Sequence, residues 1–346
     1  MSHSKLDQLA RDIRAPITPA VEPDLRELVR CATLAANSHN TQPWRFSGSR
    51  TNITIAPDLG RVTPVVDPDD RHLFATLGCA AENLAVAGSA AGASGQVAFL
   101  PVNGGAVNVV FGGRSGKVSG HERALYEAIF ARQCTRSEYS GRRADAATLT
   151  ALEQAAAIDG VTVTVVAGGS GIEPLIEIFT EANTRQIEDR AFKAELKAWL
   201  RFSEANALKT RDGLFSACTG NPSVPDWVGS LALRFAMTAA SENEKLVRHL
   251  RSSAGLAVFT AERDDADHAM RAGRSCQRFA LAATAAGLKH AFLNQPAEVA
   301  ALTGDFASAI GRPGTRPNLI VRFGYADPMP YSLRRPVGDV IVDRAP

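Results

Sequence analysis

The chain has 346 residues, 45% apolar and 21% charged, with 38 basic against 36 acidic residues for a net charge of +2. That is ordinary globular composition, enough for one large or two ordinary domains, and a balance so near neutral gives no field for nucleic acid. No apolar run approaches the roughly 20 residues that span a bilayer. The polar stretch Met1 to Ile13 lacks the apolar region of a secretory signal, so a cytoplasmic protein without a membrane partner is expected. Five scattered cysteines (Cys31, Cys79, Cys134, Cys218, Cys276) have neither metal-ligand nor redox spacing, so free thiols and no metal are expected.

In chain order, Pro23 to Ala36 reads as a helix with Leu25, Leu28, Val29 and Ala32 on one face. It stops at the polar cluster Asn37-Ser38-His39-Asn40. Trp44 to Phe46 and Asn52 to Ala56 read as two strands joined by a turn at Ser47-Gly48-Ser49. An Ala-rich helix follows from about Leu73 to Ala91, then strand pairing within Gln96 to Val110. Gly112 to Gly120 reads as a linker dividing an N-terminal half, 1–115, from a C-terminal half, 121–346. Beyond it come helices at Glu122 to Ala131 and Ala146 to Ala157, a strand at Val161 to Ala167, and long helical structure from Pro174 to Lys209. Asp212 to Trp227 is an irregular excursion. A helix at Glu242 to Arg251, a strand at Ala254 to Ala261, an Ala-rich helix at Ala269 to Gly287 and a strand at Asn318 to Tyr325 complete an α+β or α/β pattern.

Two of these helices repeat one another. Gly78 to Gly92 (GCAAENLAVAGSAAG) and Gly273 to Gly287 (GRSCQRFALAATAAG) share Gly78/Gly273, Ala85/Ala280, Ala87/Ala282 and Gly92/Gly287 among their identities, at an offset of 195. Each follows an acidic stretch (Asp67, Asp69, Asp70; Asp264, Asp265, Asp267) and precedes a short apolar segment. The spacing is too long for a solenoid and suits a duplicated domain.

Four segments carry candidate chemistry. In Arg132-Gln133-Cys134-Thr135-Arg136, alternation along an extended backbone puts Arg132, Cys134 and Arg136 on one side, an arrangement suited to clamping a phosphate or to a solvated basic stretch. Ser38-His39-Asn40-Thr41-Gln42-Pro43-Trp44 is a dense run of donors and acceptors fit for the polar edge of a heteroaromatic ring, or for a capped helix end. His39 reads as a hydrogen-bonded histidine rather than a catalyst. Leu293-Asn294-Gln295-Pro296 offers backbone amides to a ring nitrogen, or is a turn. Arg334-Arg335-Pro336 offers further cations, or is a solvated tail.

In this order the segments resemble the nitroreductase family of FMN enzymes. Arg132, Cys134 and Arg136 resemble its Arg-x-Ser-x-Arg phosphate motif, with Cys134 in place of Ser. Ser38 to Trp44 resembles its Pro-Ser-Ser-x-Asn-x-Gln-Pro-Trp segment, Gly287-Leu288 through Gln295 its loop near flavin N5, and Arg334 and Arg335 its basic pair. The pattern looks like the actinobacterial, dormancy-associated Acg-type members, two nitroreductase-like halves in one chain. The resemblance implies an α+β fold built as a pseudo-dimer with central mixed or antiparallel sheets flanked by helices. It implies FMN held by Ser38, His39, Asn40, Gln42, Arg132, Cys134, Arg136, Leu293, Asn294, Gln295, Arg334 and Arg335. It implies NADH or NADPH as donor and a nitroaromatic or quinone as small-molecule acceptor, in a monomer or homodimer. Aligning Leu25 with Leu149 sets Gln8 and Asp12 against Arg132 and Arg136, which leaves one FMN site per chain. The alternative is a flavin-sequestering protein without turnover, with residues 199–229 as a lid. No catalytic residue is assigned.

Overall fold

The computed structural model describes residues 4–16, 24–102, 104–114 and 118–343. Pro23, Asn103 and residues 115–117 of the expected linker lie outside them. Helices α1 (Lys5–Ile13) and α2 (Leu25–Thr33) lead into strands β1 (Trp44–Ser49) and β2 (Asn52–Pro57), the long helix α3 (Arg71–Ala90), strands β3 (Ala93–Leu100) and β4 (Ala106–Arg114), and helix α4 (Gly120–Ala131). Then come α5 (Ala146–Ala155), β5 (Val161–Ala167), α6 (Ile176–Glu188), α7 (Arg190–Trp199), β6 (Leu200–Arg201), α8 (Glu204–Thr210), β7 (Leu214–Phe215), α9 (Asp226–Ala236), α10 (Ala239–Arg251) and β8 (Gly255–Ala261). The chain ends with α11 (Ala266–Ala285), β9 (Lys289–Phe292), α12 (Gln295–Glu298), α13 (Ala300–Ala309), β10 (Pro317–Gly324) and α14 (Val337–Val340).

Local chemistry starts most of these helices. Asp24 caps α2 through the Glu27 amide, Ser119 and Glu122 form a reciprocal capping box on α4, and Asp145 caps α5 through Thr148. The acidic stretches before the repeated helices have the same use. Asp67 accepts the amides of His72 at 2.9 Å and Leu73 at 2.7 Å, and Asp265 accepts that of His268 at 2.8 Å. The expected long helical structure over 174–209 is divided into α6, α7 and α8, because Asp189 turns extended to cap α7 and Ser203 caps α8. The expected irregular excursion after Asp212 contains β7 and the start of α9, and α1 and α13 arise where no helix was expected.

The two antiparallel sheets have one topology, β1-β2-β4-β3 and β5-β8-β10-β9, each with its long helix between the second and third strands in sequence. The fold is therefore α+β. Helix α3 is 20 residues long and apolar enough to cross a membrane by composition, yet 94% of its most apolar 18-residue window is buried inside the protein, as in a core helix. It crosses α11 at the two repeated glycines. A Cβ on Gly78 would stand 2.0 Å from the Met270 carbonyl oxygen, and one on Gly273 would stand 1.9 Å from that of Ala75. Under the offset of 195, Ala75 corresponds to Met270 and Gly78 to Gly273, so the two contacts map onto each other as in an isologous interface. The same holds one turn along. Glu82, fully buried, meets Arg278 at 2.7 Å, while Gln277 donates to Asn83 at 2.8 Å. The C-terminal tail then crosses to the first sheet, where the Val342 amide donates to the Phe46 carbonyl at 2.8 Å.

Candidate functional site

Two adjoining cavities, of about 220 and 200 Å³, open where the two sheets' loops meet, and both are walled by Arg136, Phe292 and Gln295. The first draws Ser38, His39, Val66, His72 and Ala75 from the N-terminal half and Gln186, Leu214, Asn294, Glu298 and Leu319 from the C-terminal half. Apolar faces from Val66, Ala75, Leu214, Phe292 and Leu319 stand among a larger number of polar groups, and polar groups that converge on a concave site are what fixes a small molecule's orientation. Three buried polar atoms on this wall have no hydrogen-bond partner among the described residues: His39 Nδ1, His72 Nδ1 and Gln295 Oε1. Orphaned buried groups cost free energy, so their convergence on one cavity marks a place for a ligand's polar edge.

The loop that delivers His39 is strained to do so. His39, Asn40 and Gln42 all have positive φ, at 46°, 55° and 55°, a conformation uncommon outside glycine. Burial, then the charge of Arg136 and His72, lowers the His39 imidazole to about 4, so it is neutral at pH 7. Asn40 and Gln42 do not wall either cavity. Asn40 donates to the carbonyls of Gly213 at 3.0 Å and Leu333 at 3.2 Å, and Gln42 donates to that of Arg211 at 2.9 Å. Together with the Arg61–Asp212 ion pair, they latch the 200–215 segment over the loop. Leu214 of that segment reaches the first cavity.

The cationic residues divide. Arg136 walls both cavities, whereas Arg132 and Arg334 turn to the C-terminal end of α2. Arg132 donates to the Leu34 carbonyl at 2.9 Å, and Arg334 to those of Thr33 at 2.6 Å and Ala35 at 3.4 Å. These are carbonyls that a helix end leaves unpaired, and a cation suits that end of the dipole. Arg335 is held by Gln42 and by Asp58 at 3.6 Å. The structure thus brings together Ser38, His39, Arg136, Leu293, Asn294 and Gln295, and sets Asn40, Gln42, Arg132, Arg334 and Arg335 behind them. Cys134 bridges to His290 and lies 3.8 Å from Arg132 Nη1. Burial pushes its thiol up, but the His290 hydrogen bond and the charges of Arg132, His290 and Arg136 bring it down to about 5. It is an acceptor, where the expected serine would donate.

Several residues of this region escaped the sequence reading. Arg14 ends α1 as Arg132 ends α4, and it donates to the Arg132 carbonyl at 3.0 Å. Gln8 and Asp12, expected opposite Arg132 and Arg136, instead pair with each other at 2.8 Å on the surface of α1. Placing Arg14 opposite Arg132 needs the end of α1, which lacks any motif. Lys245 and Arg322 wall the second cavity, and His72 and Glu298 the first; none belongs to a recognisable segment.

Two proteins of Mycobacterium tuberculosis, "Putative NAD(P)H nitroreductase Rv3131" and "Putative NAD(P)H nitroreductase acg", are similar to this chain. The first is 27% identical over 92% of this chain and 90% of its own, the second 26% over 95% and 98%. The chain resembles the nitroreductase family over nine-tenths of its length. No family model matches it. Among solved structures, the FMN-dependent nitroreductase NfnB from Mycobacterium smegmatis in complex with NADPH aligns with a TM-score of 0.40 and 17% identity, over 65% of this chain and 95% of that one.

Proposed function

We propose that the chain is an FMN-binding oxidoreductase of the nitroreductase kind, two fused halves holding one flavin between them. It would draw electrons from NADH or NADPH and pass them to a small nitroaromatic or quinone. The observation that carries this reading is the convergence of two orphaned buried polar atoms, His39 Nδ1 and Gln295 Oε1, on one cavity that also presents apolar faces. The residues fit the group. Gln295 Oε1 offers an acceptor to an imide N–H, and Ala75, Phe292 and Leu319 offer faces to a ring. The adjoining cavity offers Arg136, Lys245 and Arg322 to a phosphate, with Glu242 their one acidic neighbour on that wall. When bound, FMN supplies the hydride exchange between nicotinamide and acceptor. The chain's part is to orient the ring and exclude water.

The latch of residues 200–215 over the Ser38 to Gln42 loop favours a second reading, a flavin-holding protein whose cap bars the nicotinamide. One experiment separates the two. The purified protein should be yellow, and anaerobic NADPH or NADH should bleach its absorbance. No bleaching by either, with rapid bleaching by dithionite, rules out the reductase. A colourless protein that takes up no added FMN rules out both.

A further inference from the structure

His72, from α3, and Glu298, from α12, meet on the wall of the first cavity, one from each half of the chain. His72 Nε2 lies 3.0 Å from the carbonyl oxygen of Asn318. A carbonyl only accepts, so Nε2 carries a hydrogen and Nδ1 is the atom whose proton can come and go. That Nδ1 lies 3.6 Å from Glu298 Oε1. The other carboxyl oxygen, Oε2, already accepts the Gln186 amide at 2.6 Å, so a proton on this carboxyl belongs on Oε1, facing the imidazole. Asn318 and Gln186 therefore act as positioning residues, and they leave Nδ1 and Oε1, the two atoms able to carry an exchangeable proton, facing each other.

The surroundings favour keeping that proton. Burial pushes the Glu298 carboxyl up, and the charges of Asp67 and Glu195 push the same way against the opposing effect of His72 and Gln186. Asp67 and Glu195 are already committed to backbone amides, Asp67 to His72 and Leu73, Glu195 to Val65 and Val66. Across the cavity stand His39, neutral at pH 7, and the Arg136 guanidinium. Of the groups walling this cavity, His72 and Glu298 face each other across 3.6 Å with their outer atoms already engaged by Asn318 and Gln186, so the two inner atoms are the ones left to exchange a proton.

We propose that His72 and Glu298 are the proton-donating couple for the acceptor bound in this cavity, an inference that rests on the oxidoreductase reading above. Reduction of a quinone to a hydroquinone takes two electrons and two protons. FMN, when bound, would supply the hydride, which accounts for both electrons and one proton. The other proton leaves the couple for the quinone oxygen as the O–H bond forms. Glu298 is left as a carboxylate beside neutral His72, and water restores the proton.

Glu298→Gln tests this, because its amide oxygen still accepts from Gln186 and its NH₂ still faces His72, while the proton is gone. Reoxidation is compared per bound flavin, with bleaching by NADPH followed on the same samples. Reoxidation by a quinone should slow by roughly 100-fold, the usual worth of a positioned general acid. The wild-type solvent deuterium isotope effect on that step should be lost. A second readout does not depend on turnover. Imidazole ¹⁵N spectra of the full chain should show His72 Nε2 protonated throughout, and an Nδ1 titration that Glu298→Gln displaces. Wild-type spectra with the hydrogen on Nδ1 instead, or an Nδ1 titration identical in the two proteins, would overturn the proposal, as would unaltered quinone reoxidation. Should Glu298→Gln not fold, the wild-type tautomer and isotope effect decide alone. Protein that holds no flavin in either form refutes the oxidoreductase reading, and the transfer step with it.

Discussion

Replacing Gly78 by alanine should destabilise this protein, although the same change elsewhere in a helix helps. In a helix interior, alanine is worth about 1 kcal/mol over glycine, through propensity and unfolded-chain entropy. At Gly78 the added Cβ would stand 2.0 Å from the Met270 carbonyl oxygen. That obstacle is backbone of the crossing helix α11, and no side chain can swing aside. Ordinary carbon–oxygen contact is reached only if the helices part by about 1 Å, which loosens the core on both sides of the crossing. Overpacking of this kind costs about 1–3 kcal/mol, and separation of two packed helices sits at the upper end. The net expectation is a loss of about 1–2 kcal/mol, with Gly273→Ala showing the same sign because its Cβ would stand 1.9 Å from the Ala75 oxygen. The built-in control is Gly304 in α13, exposed and with nothing within 4 Å of its would-be Cβ. Gly304→Ala should stabilise by about 0.5–1 kcal/mol. Urea unfolding of the three variants measures all of this. The double variant Gly78→Ala/Gly273→Ala should lose less than the sum, because one parting of the helices relieves both clashes. Stabilisation by Gly78→Ala, or strict additivity, would refute the close crossing.

Three further outcomes follow from the site. Arg136→Ala should weaken FMN retention by at least tenfold with little change in unfolding free energy, whereas Arg132→Ala should lower the unfolding free energy by about 1–3 kcal/mol through the lost cap on α2, read by flavin fluorescence and urea melts. His39 is held near 4 in the fold against 6.5 when unfolded, so the stability it confers is whole above pH 6.5 and drains away as pH falls toward 4. His39→Asn, which tolerates positive φ, should flatten that acid limb by at most about 3 kcal/mol, and by less to the extent that solvent screens a half-buried ring. The Cys134 thiolate should be detectable by ultraviolet absorbance with a midpoint near pH 5, moving up by more than one pH unit in His290→Ala.

Elements with strong local signals were legible in the sequence, and contacts between distant segments were not. The strand Val161 to Ala167 and the two Ala-rich helices follow from β-branched runs and small-residue periodicity, and the paired glycines pointed to a repeat. The Ser38 to Trp44 run and Gln295 were visible as polar clusters beside predicted helix or strand ends. What each side chain does there was not visible. Asn40 and Gln42 sit in a segment that reads as ligand-binding, yet their amides are taken by the carbonyls of Gly213, Leu333 and Arg211, about 170 to 290 residues away in sequence. Arg132 and Arg334 read as phosphate ligands, but the nearer demand is the open end of α2. His72 and Glu298 stand in unremarkable helical positions, and only the crossing of α3 with the C-terminal half makes them neighbours.

The paired contacts along the α3–α11 crossing have a consequence for how such a chain can change. Were the halves separate copies of one subunit, every replacement would strike both sides of the crossing at once. A glutamate at the position of Glu82 would then have to face the same arginine twice. Joined in one polypeptide, corresponding positions are free to part company: Glu82 binds Arg278, while the matching pair is Gln277 and Asn83. One link carries charge and the other an amide bond, at places a symmetric assembly would keep identical. A single covalent connection thus lets one side of the molecule specialise while the other keeps the scaffold intact.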